Sequence, residues 1–369
     1  MSRNLQVFQE LSQSLQSPEG LKFLNDPNRK VIWLNTKARK LGGGAINNFY
    51  TYSDFDFTEI MTRLNNISKR EERLKVQGYN LEGLKSFNKS VWLDASRQSN
   101  LIEGVMDDFD IDLFDFRSKI RGDFAIDPKS RQEGFDIYSY FQDMMTKSQE
   151  IATRNDSVII SGNRQKHSLN IETARHFMAL KYMYKCAKFN RFKNQSPEDM
   201  INIILNSAAI MSGSDIVRFR NEQARVTAYD DEDEPTWIPE SPERIDPMLT
   251  NLIEFLSSKG EGSKLPTIIA TALFHAEYIR IHPFVDGNGR TGRLFSNYLL
   301  IKDEFPTISF SYQKKKRYFE VNNTAINNHD LNPLIKFILQ EINNSLDNIE
   351  ECLDRIELNP ECAPKNANV

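Results

Sequence analysis

The sequence predicts a mainly α fold, a helical bundle with one small β-hairpin, and three features carry that reading. Segments on both sides of residue 285 repeat apolar residues at helical spacing, as in Ile269, Leu273, Ala276 and Ile279 within 266–281, then Leu294, Phe295, Tyr298, Leu299 and Ile301. A long closing segment, 334–356, does the same through Ile338, Ile342, Leu346, Ile349 and Leu353. Strand-like residues that face each other across a short connection occur at 225–229 and 236–238.

Composition bounds the class. The chain has 369 residues, 39% hydrophobic and 27% charged, which is typical of a soluble globular protein able to bury a sizeable core. A net charge of −4 argues against broad binding of nucleic acid or anionic membrane, and no run of about twenty apolar residues offers a bilayer span. Residues 1–6 lack the apolar core of a signal peptide. Cys186, Cys352 and Cys362 are odd in number and show no metal-ligand spacing, so a reducing, cytoplasmic setting without a disulfide framework is expected.

Taken in order, residues 7–15 and 21–24 are short amphipathic stretches, 31–34 an apolar patch, and 42–44 a glycine hinge or loop. A polar helix is expected over 57–74, with Ile60, Leu64, Ile67 and Leu74 inward. The next helix, 91–103, puts Trp92, Ala95, Ser99 and Ile102 on one face and stops at Gly104. Glu103 then sits in the last turn, where the helix dipole disfavours an acid by several tenths of a kcal/mol. Residues 107–115 are read as a loop and 127–131 as a turn, with helices over 134–151, 170–189 and 197–211, the last capped by Ser196. The polar stretch 154–168 is the best domain boundary. His167 and His176 lack partners at metal-ligand spacing and are read as structural or solvated rather than as ligands. The acidic run 230–234 is expected to be a solvated loop, and Pro239, Pro242 and Pro247 to precede a helix at 248–256. Residues 306–310 are loop or short strand, Lys314 to Arg317 a solvated helix start, and 358–369 a frayed or disordered tail.

The stretch His282-Pro283-Phe284-Val285-Asp286-Gly287-Asn288-Gly289-Arg290-Thr291-Gly292-Arg293 joins two of these helices and carries the chemistry. Glycines before a helix start free the backbone to present N–H groups at the positive end of the dipole, which is an anion site. Arg290 and Arg293 share a face there, an arrangement favoured when negative charge lies between them, and guanidinium forks suit phosphate oxygens. Asp286 is a hard oxygen donor for Mg²⁺, and His282 is the side chain best able to take a proton near neutral pH. Together they are the parts needed for phosphoryl or nucleotidyl transfer.

This stretch resembles the motif of the Fic (Fido) family, HPFx(D/E)GNGRxxR, at every specified position. The resemblance implies a Fic fold and a protein adenylyltransferase, which moves AMP from Mg-ATP to a Ser, Thr or Tyr hydroxyl of a target protein. It makes His282 the general base, Asp286 the Mg²⁺ ligand, and Gly287, Asn288 and Gly289 the anion nest. Arg290 would contact the phosphates, Arg293 the γ-phosphate, and Phe284 would anchor the loop. Ser99-Asn100-Leu101-Ile102-Glu103-Gly104 is similar to the family's inhibitory motif, (S/T)xxxE(G/N), which implies autoinhibition in cis by Glu103 with Ser99 on the same helix face. Residues 224–238 resemble in position the flap that docks the target, and Tyr318 is either a border for the nucleotide base or a core aromatic. The implied domains are an N-terminal helical region, 1–160, with its inhibitory helix at about 91–104; a catalytic domain, 165–345; and a helix end and tail, 346–369. ATP, a target protein and a homodimer partner are implied; nucleic acid and membrane are not. Three other readings remain: removal of AMP with Glu103 orienting a water, transfer of another phosphate-linked group, and a non-catalytic nucleotide-binding module.

Overall fold

A computed structural model of the protein describes residues 29–35, 47–104, 136–156, 164–190, 196–215, 217–228, 231–257 and 264–359. The stretches expected at 7–15, 21–24, 42–44, 107–115 and 127–131, and the tail beyond 359, lie outside these residues. Two strands come first. β1 (Arg29–Asn35) pairs antiparallel with β2 (Asn47–Ser53), from Arg29 opposite Ser53 to Asn35 opposite Asn47. Sequence reading saw only an apolar patch here. The run Phe49-Tyr50-Thr51-Tyr52, aromatic and β-branched, was the available strand signal.

Helices α1 (Thr58–Val76) and α2 (Glu82–Ile102) follow. Helix α2 begins well before the expected 91, because buried Leu84 and partly buried Phe87 extend its inward stripe toward the N-terminus. Helices α3 (Ile137–Asp156), α4 (Arg164–Asn190) and α5 (Pro197–Ser212) come next. Ser196 closes a capping box on α5: its hydroxyl accepts from the Asp199 N–H at 3.1 Å, and the Asp199 carboxylate accepts from the Ser196 N–H at 3.2 Å.

β3 (Val226–Ala228) and β4 (Asp231–Trp237) form the predicted hairpin, with Val226 opposite Trp237. The acidic residues 231–234, expected in a solvated loop, belong to strand β4, where Asp231 stands opposite Ala228 and an irregular register brings Pro235 opposite Thr227. Helix α6 (Pro242–Leu256) also departs from expectation by starting at Pro242, an ideal first helical residue, and by containing Pro247. Pro247 deletes a single early backbone bond, while burial of Ile245, Met248, Leu249, Leu252, Ile253 and Leu256 holds the helix.

Helix α7 (Thr267–Ile281) and helix α8 (Asn288–Lys302) are the centre of the bundle. Almost every residue of both is buried, polar ones included, as expected of helices wrapped on all sides. Helix α8 packs on α4, α7 and α2. Helix α9 (Lys315–Asn328) and helix α10 (Asn332–Leu358) complete the bundle, and α10 runs against α1. There, Arg63 pairs with Glu350 at 2.8 Å and Arg70, two turns on, pairs with Glu357 at 2.8 Å. The buried carboxylate of Glu277 accepts from the Tyr50 hydroxyl at 2.8 Å and pairs with Arg280 at 2.6 Å, fastening β2 to α7. Among the described residues, no helix is long and apolar enough to cross a membrane.

Candidate active site

The loop between α7 and α8 is shaped by its own side chains. His282 ends α7 with a left-handed backbone, φ 53° and ψ 61°, a conformation that costs a non-glycine residue about 1 kcal/mol or more. Arg220, itself buried, compensates from outside the loop. Its Nε donates to the His282 carbonyl at 2.7 Å, its Nη2 to the Ile281 carbonyl at 3.3 Å, and its backbone N–H to the Pro283 carbonyl at 2.9 Å. Phe284 is buried against Phe219, with ring centroids 5.8 Å apart, and anchors the loop as expected. The Asn288 side chain then closes the turn, accepting from the Phe284 N–H and donating to the Phe284 carbonyl, both at 2.8 Å. Asn288 therefore contributes a side-chain clamp as well as backbone.

Gly287 caps α8 with φ 81°, a conformation suited to glycine, and so aims the first turn of the helix outward. Gly289 has a different reason for lacking a side chain. A Cβ there would fall 2.1 Å from Oε1 of Glu103 and 3.1 Å from Nη1 of Arg293. The carboxylate of Glu103 thus rests directly on the opening turn of α8, where the helix dipole favours negative charge. The acid that is unfavourable at the end of α2 is favourable at the start of α8.

Arg293 binds that carboxylate. Its Nη2 donates to Glu103 Oε1 at 2.6 Å and to the Ser99 carbonyl at 2.8 Å, and its Nε donates to the Ser99 hydroxyl at 2.9 Å. The Arg293 side chain is 2% exposed and that of Glu103 29%, so water screens the pair only partly. Burial opposes the charge of Arg293, but Tyr318 and Glu103 together keep its pKa above the ordinary value. The sequence-predicted Ser99, Glu103 and Arg293 are brought together.

Tyr318 takes the second of its two readings, that of a core aromatic. It is 2% exposed, and its hydroxyl accepts from Arg293 Nη1 at 3.2 Å and bonds His275 Nε2 at 2.9 Å. Packing on Phe310, Phe337 and the guanidinium of Arg293 puts it in the core beside the arginine. His275 bonds Ser296 through its other nitrogen at 3.0 Å, and burial followed by the nearby Arg293 charge holds its pKa down to about 3. A neutral imidazole thus backs the hydroxyl that backs the arginine.

Arg290 lies between two acids: Nη1 pairs with Glu172 of α4 at 2.8 Å and Nη2 with Asp286 at 3.0 Å. Asp286 also accepts the Gly287 N–H at 2.6 Å, and its side chain is 86% exposed. Among the described residues no cluster of three His, Cys, Asp or Glu side chains could hold a metal. A single exposed carboxylate does fit Mg²⁺, which takes only one or two protein ligands when substrate phosphates and water supply the rest.

His282 faces Trp237, at the end of the hairpin, edge to face with centroids 6.5 Å apart. Burial lowers its pKa to about 4, against smaller opposing effects from Ile279, Glu103 and Asp286. The imidazole is neutral at physiological pH, with a lone pair available for a proton. His176, read as structural or solvated, is buried in α4; burial and then the Arg293 and Arg290 charges keep it neutral. The side chain of His167 lies outside the described residues.

Glu172, Arg220 and His275 were not singled out from sequence. Their partners are distant in the chain, and no local pattern marks an ion pair between α4 and α8.

Fold and site define a helical protein built around a helix start that carries an arginine-bound carboxylate beside a neutral histidine. Residues 203–300, which run from α5 to α8, match the family described as Fic/DOC family. Among curated relatives, the protein adenylyltransferase Fic of Nematostella vectensis is 32% identical over 130 residues, covering 35% of this chain and 28% of that protein. Its counterpart in Drosophila willistoni is 33% identical over 110 residues, or 30% of this chain and 22% of that one. The match thus spans less than a third of these relatives. A Fic domain containing signaling protein from Bacteroides thetaiotaomicron superimposes with a TM-score of 0.52 at 18% identity, covering 80% of this chain and 95% of that one. Fic-1 of C. elegans (residues 134–508) does so at 0.50 and 16% identity, covering 80% and 72%. The overall architecture is therefore the helical Fic fold.

Proposed function

We propose that this protein is a protein adenylyltransferase held inactive in cis by Glu103. One observation carries the reading. A carboxylate occupies the helix start at Gly289 and the fork of Arg293, which marks that place as an anion site shaped for a more highly charged group. The relatives named above are protein adenylyltransferases, which gives that anion a chemical identity as the phosphates of ATP.

In this reading the hydroxyl of a target Ser, Thr or Tyr attacks the α-phosphorus of ATP. Its proton passes to His282, the new bond forms to AMP, and pyrophosphate leaves. A neutral His282 is in the correct state to accept that proton. Asp286 would hold Mg²⁺, which neutralises charge on the phosphates. Gly287 and Gly289 give the anion access to backbone N–H groups, Arg290 binds the phosphates, and Arg293 receives the γ-phosphate once Glu103 departs. Trp237 puts the end of the β3–β4 hairpin beside His282, so a target strand added along that hairpin would deliver its hydroxyl there.

The test is mass spectrometry of the Glu103→Gly protein after incubation with Mg·ATP. Added AMP that is absent from the wild type and from Glu103→Gly/His282→Ala supports the proposal; unmodified protein from all three, each folded, overturns it. A second reading is favoured by the influence of Glu103 on His282. With a water between them, the same site would hydrolyse AMP from a modified target. Release of AMP that requires Glu103 would identify that direction.

A further inference from the structure

The β3–β4 hairpin and the loop that carries His282 belong to separate segments of chain, yet one side chain joins them. Arg220 holds three successive carbonyls of the loop, those of Ile281, His282 and Pro283. Its remaining bonds go to the two feet of the hairpin. Nη1 donates at 2.8 Å to the Glu222 carbonyl, just before β3, and Nη2 donates to the Glu240 carbonyl, just after β4. Gln223 Nε2 closes the same base by donating to the Pro239 carbonyl at 2.7 Å.

A simple prop would not need a charged group here. Among the described residues the buried Arg220 guanidinium forms no ion pair and bonds only backbone carbonyls. Burial lowers its pKa, and the attraction of Glu240 only partly offsets that. A charge held in this way is costly, and what it gains is geometry. The guanidinium is a rigid plane with donors in a fixed fork, so loop and hairpin carbonyls bound to one plane keep a set separation. Glu240 adds a second tie. Its carboxylate pairs with Arg280, two residues before His282, and with Arg244 at 3.1 Å, while Glu277 holds Arg280 at 2.6 Å.

We propose that Arg220 is a positioning residue: it locks the hairpin on which a target segment would lie to the backbone of His282, and so sets how far the docked hydroxyl stands from the base. The inference rests on the adenylyltransferase reading above. Proton transfer requires the hydroxyl within hydrogen-bond reach of the imidazole, and a misplacement of about 1 Å costs roughly a hundredfold. The left-handed backbone of His282 has relaxed alternatives once its carbonyl is released, so the ring shifts when Arg220 is lost. The phosphate site is fastened independently, through Asn288 on Phe284 and Glu172 on Arg290. Arg220 therefore governs the transfer step and not the hold on ATP.

The test compares Arg220→Lys/Glu103→Gly with Glu103→Gly alone. Lysine keeps the charge but cannot span loop and hairpin carbonyls together. AMP incorporation at saturating Mg·ATP should fall about tenfold or more, while the Kd of ATP by calorimetry stays within about twofold. Hydrogen exchange without nucleotide should quicken in β3, in β4 and in residues 282–287, and stay unchanged in α8. Unaltered incorporation by the folded variant overturns the proposal. A parallel loss of incorporation and ATP affinity also overturns it, because that marks a general prop. Where the lysine variant does not fold, Glu240→Gln/Glu103→Gly carries the test, since it keeps Arg220 and loosens only the hairpin's exit from Arg280 and Arg244. Its incorporation should fall about threefold at unchanged ATP affinity, and no fall overturns the proposal. If Glu103→Gly itself transfers no AMP, the adenylyltransferase reading fails instead. The exchange measurement still decides the tie, which is overturned if only one of the two segments quickens.

Discussion

Arg293 Nη2 sits 2.6 Å from Glu103 Oε1, joining the residue that caps the C-terminal end of α2 to the first turns of α8 across 190 positions of chain. The pair also satisfies an electrostatic need at each end: the acid leaves the negative end of α2 and lies at the positive end of α8. Glu103→Gly should therefore raise AMP incorporation by about tenfold or more, since a few kcal/mol separates an occupied from a vacated arginine fork. Radiolabelled ATP measures it. Ser99→Ala removes the hydroxyl but leaves the Ser99 carbonyl on Nη2, so its gain should be smaller, within about tenfold.

His282 predicts a pH profile. An ordinary histidine base gives an inflection near pH 6.5 in kcat/KM, with activity falling as acid protonates it. Here burial keeps the pKa at about 4. In the Glu103→Gly background, kcat/KM should stay level from pH 8 to below 6 and fall only toward pH 4. A break near 6.5 would show that the imidazole is solvated when it works.

Much of this was legible beforehand, and the reason is local. The residues from His282 to Arg293 are contiguous, so glycine conformations, a helix start and two arginines on one face follow from spacing. The stripe carrying Ser99 and Glu103 was equally visible, because helical periodicity is a short-range property. Contacts that arise only when distant helices meet were not. Glu172 reaches Arg290 across 118 positions, Arg220 reaches the His282 carbonyl across 62, and nothing near either in the chain marks the partner. The acidic part of strand β4 was misread for a related reason: the partners of that strand, Val226 to Ala228, lie in another segment, and acids carry no strand signal of their own.

Gly289→Ala separates inhibition from catalysis. The new methyl would lie 2.1 Å from Glu103 Oε1, the end of a flexible side chain, and should expel the carboxylate. The same methyl would cover the backbone that phosphate must approach. The variant should lose the Glu103–Arg293 contact yet transfer AMP no faster than wild type, and Gly289→Ala/Glu103→Gly should transfer far less than Glu103→Gly alone. Fast transfer by the double variant would move the phosphate site away from this turn.

Acid should weaken the fold through its buried imidazoles. His275 and His282 have folded pKa values of about 3 and 4, below an unfolded value near 6.5. A depressed pKa means the unfolded chain binds more protons, so this contribution is complete above pH 6.5 and is lost as pH falls toward 4. Each histidine adds up to about 1.4 kcal/mol per pH unit to that slope. Denaturant titrations at pH 7.5 and 5 should show it, and His275→Gln, which keeps polar atoms near Ser296 and Tyr318, should flatten it.

Glu172 gives the most specific test of the arginines. Its carboxylate holds Nη1 of Arg290 while Asp286 holds Nη2, and the Arg290 side chain is only 9% exposed. Two acids fix the guanidinium plane before any phosphate arrives, which is preorganisation in the sense that matters for a transition state. Glu172→Gln keeps the shape and one acceptor but removes the charge. It should lower kcat about tenfold in the Glu103→Gly background, with a smaller change in the KM for ATP, because a loosened fork costs most where charge develops. Thermal melting should move little, since the pair is partly exposed. Were KM alone to rise, Glu172 would be shaping ground-state binding of the nucleotide, and the arginine it holds would be a grip on ATP rather than a support for the departing pyrophosphate.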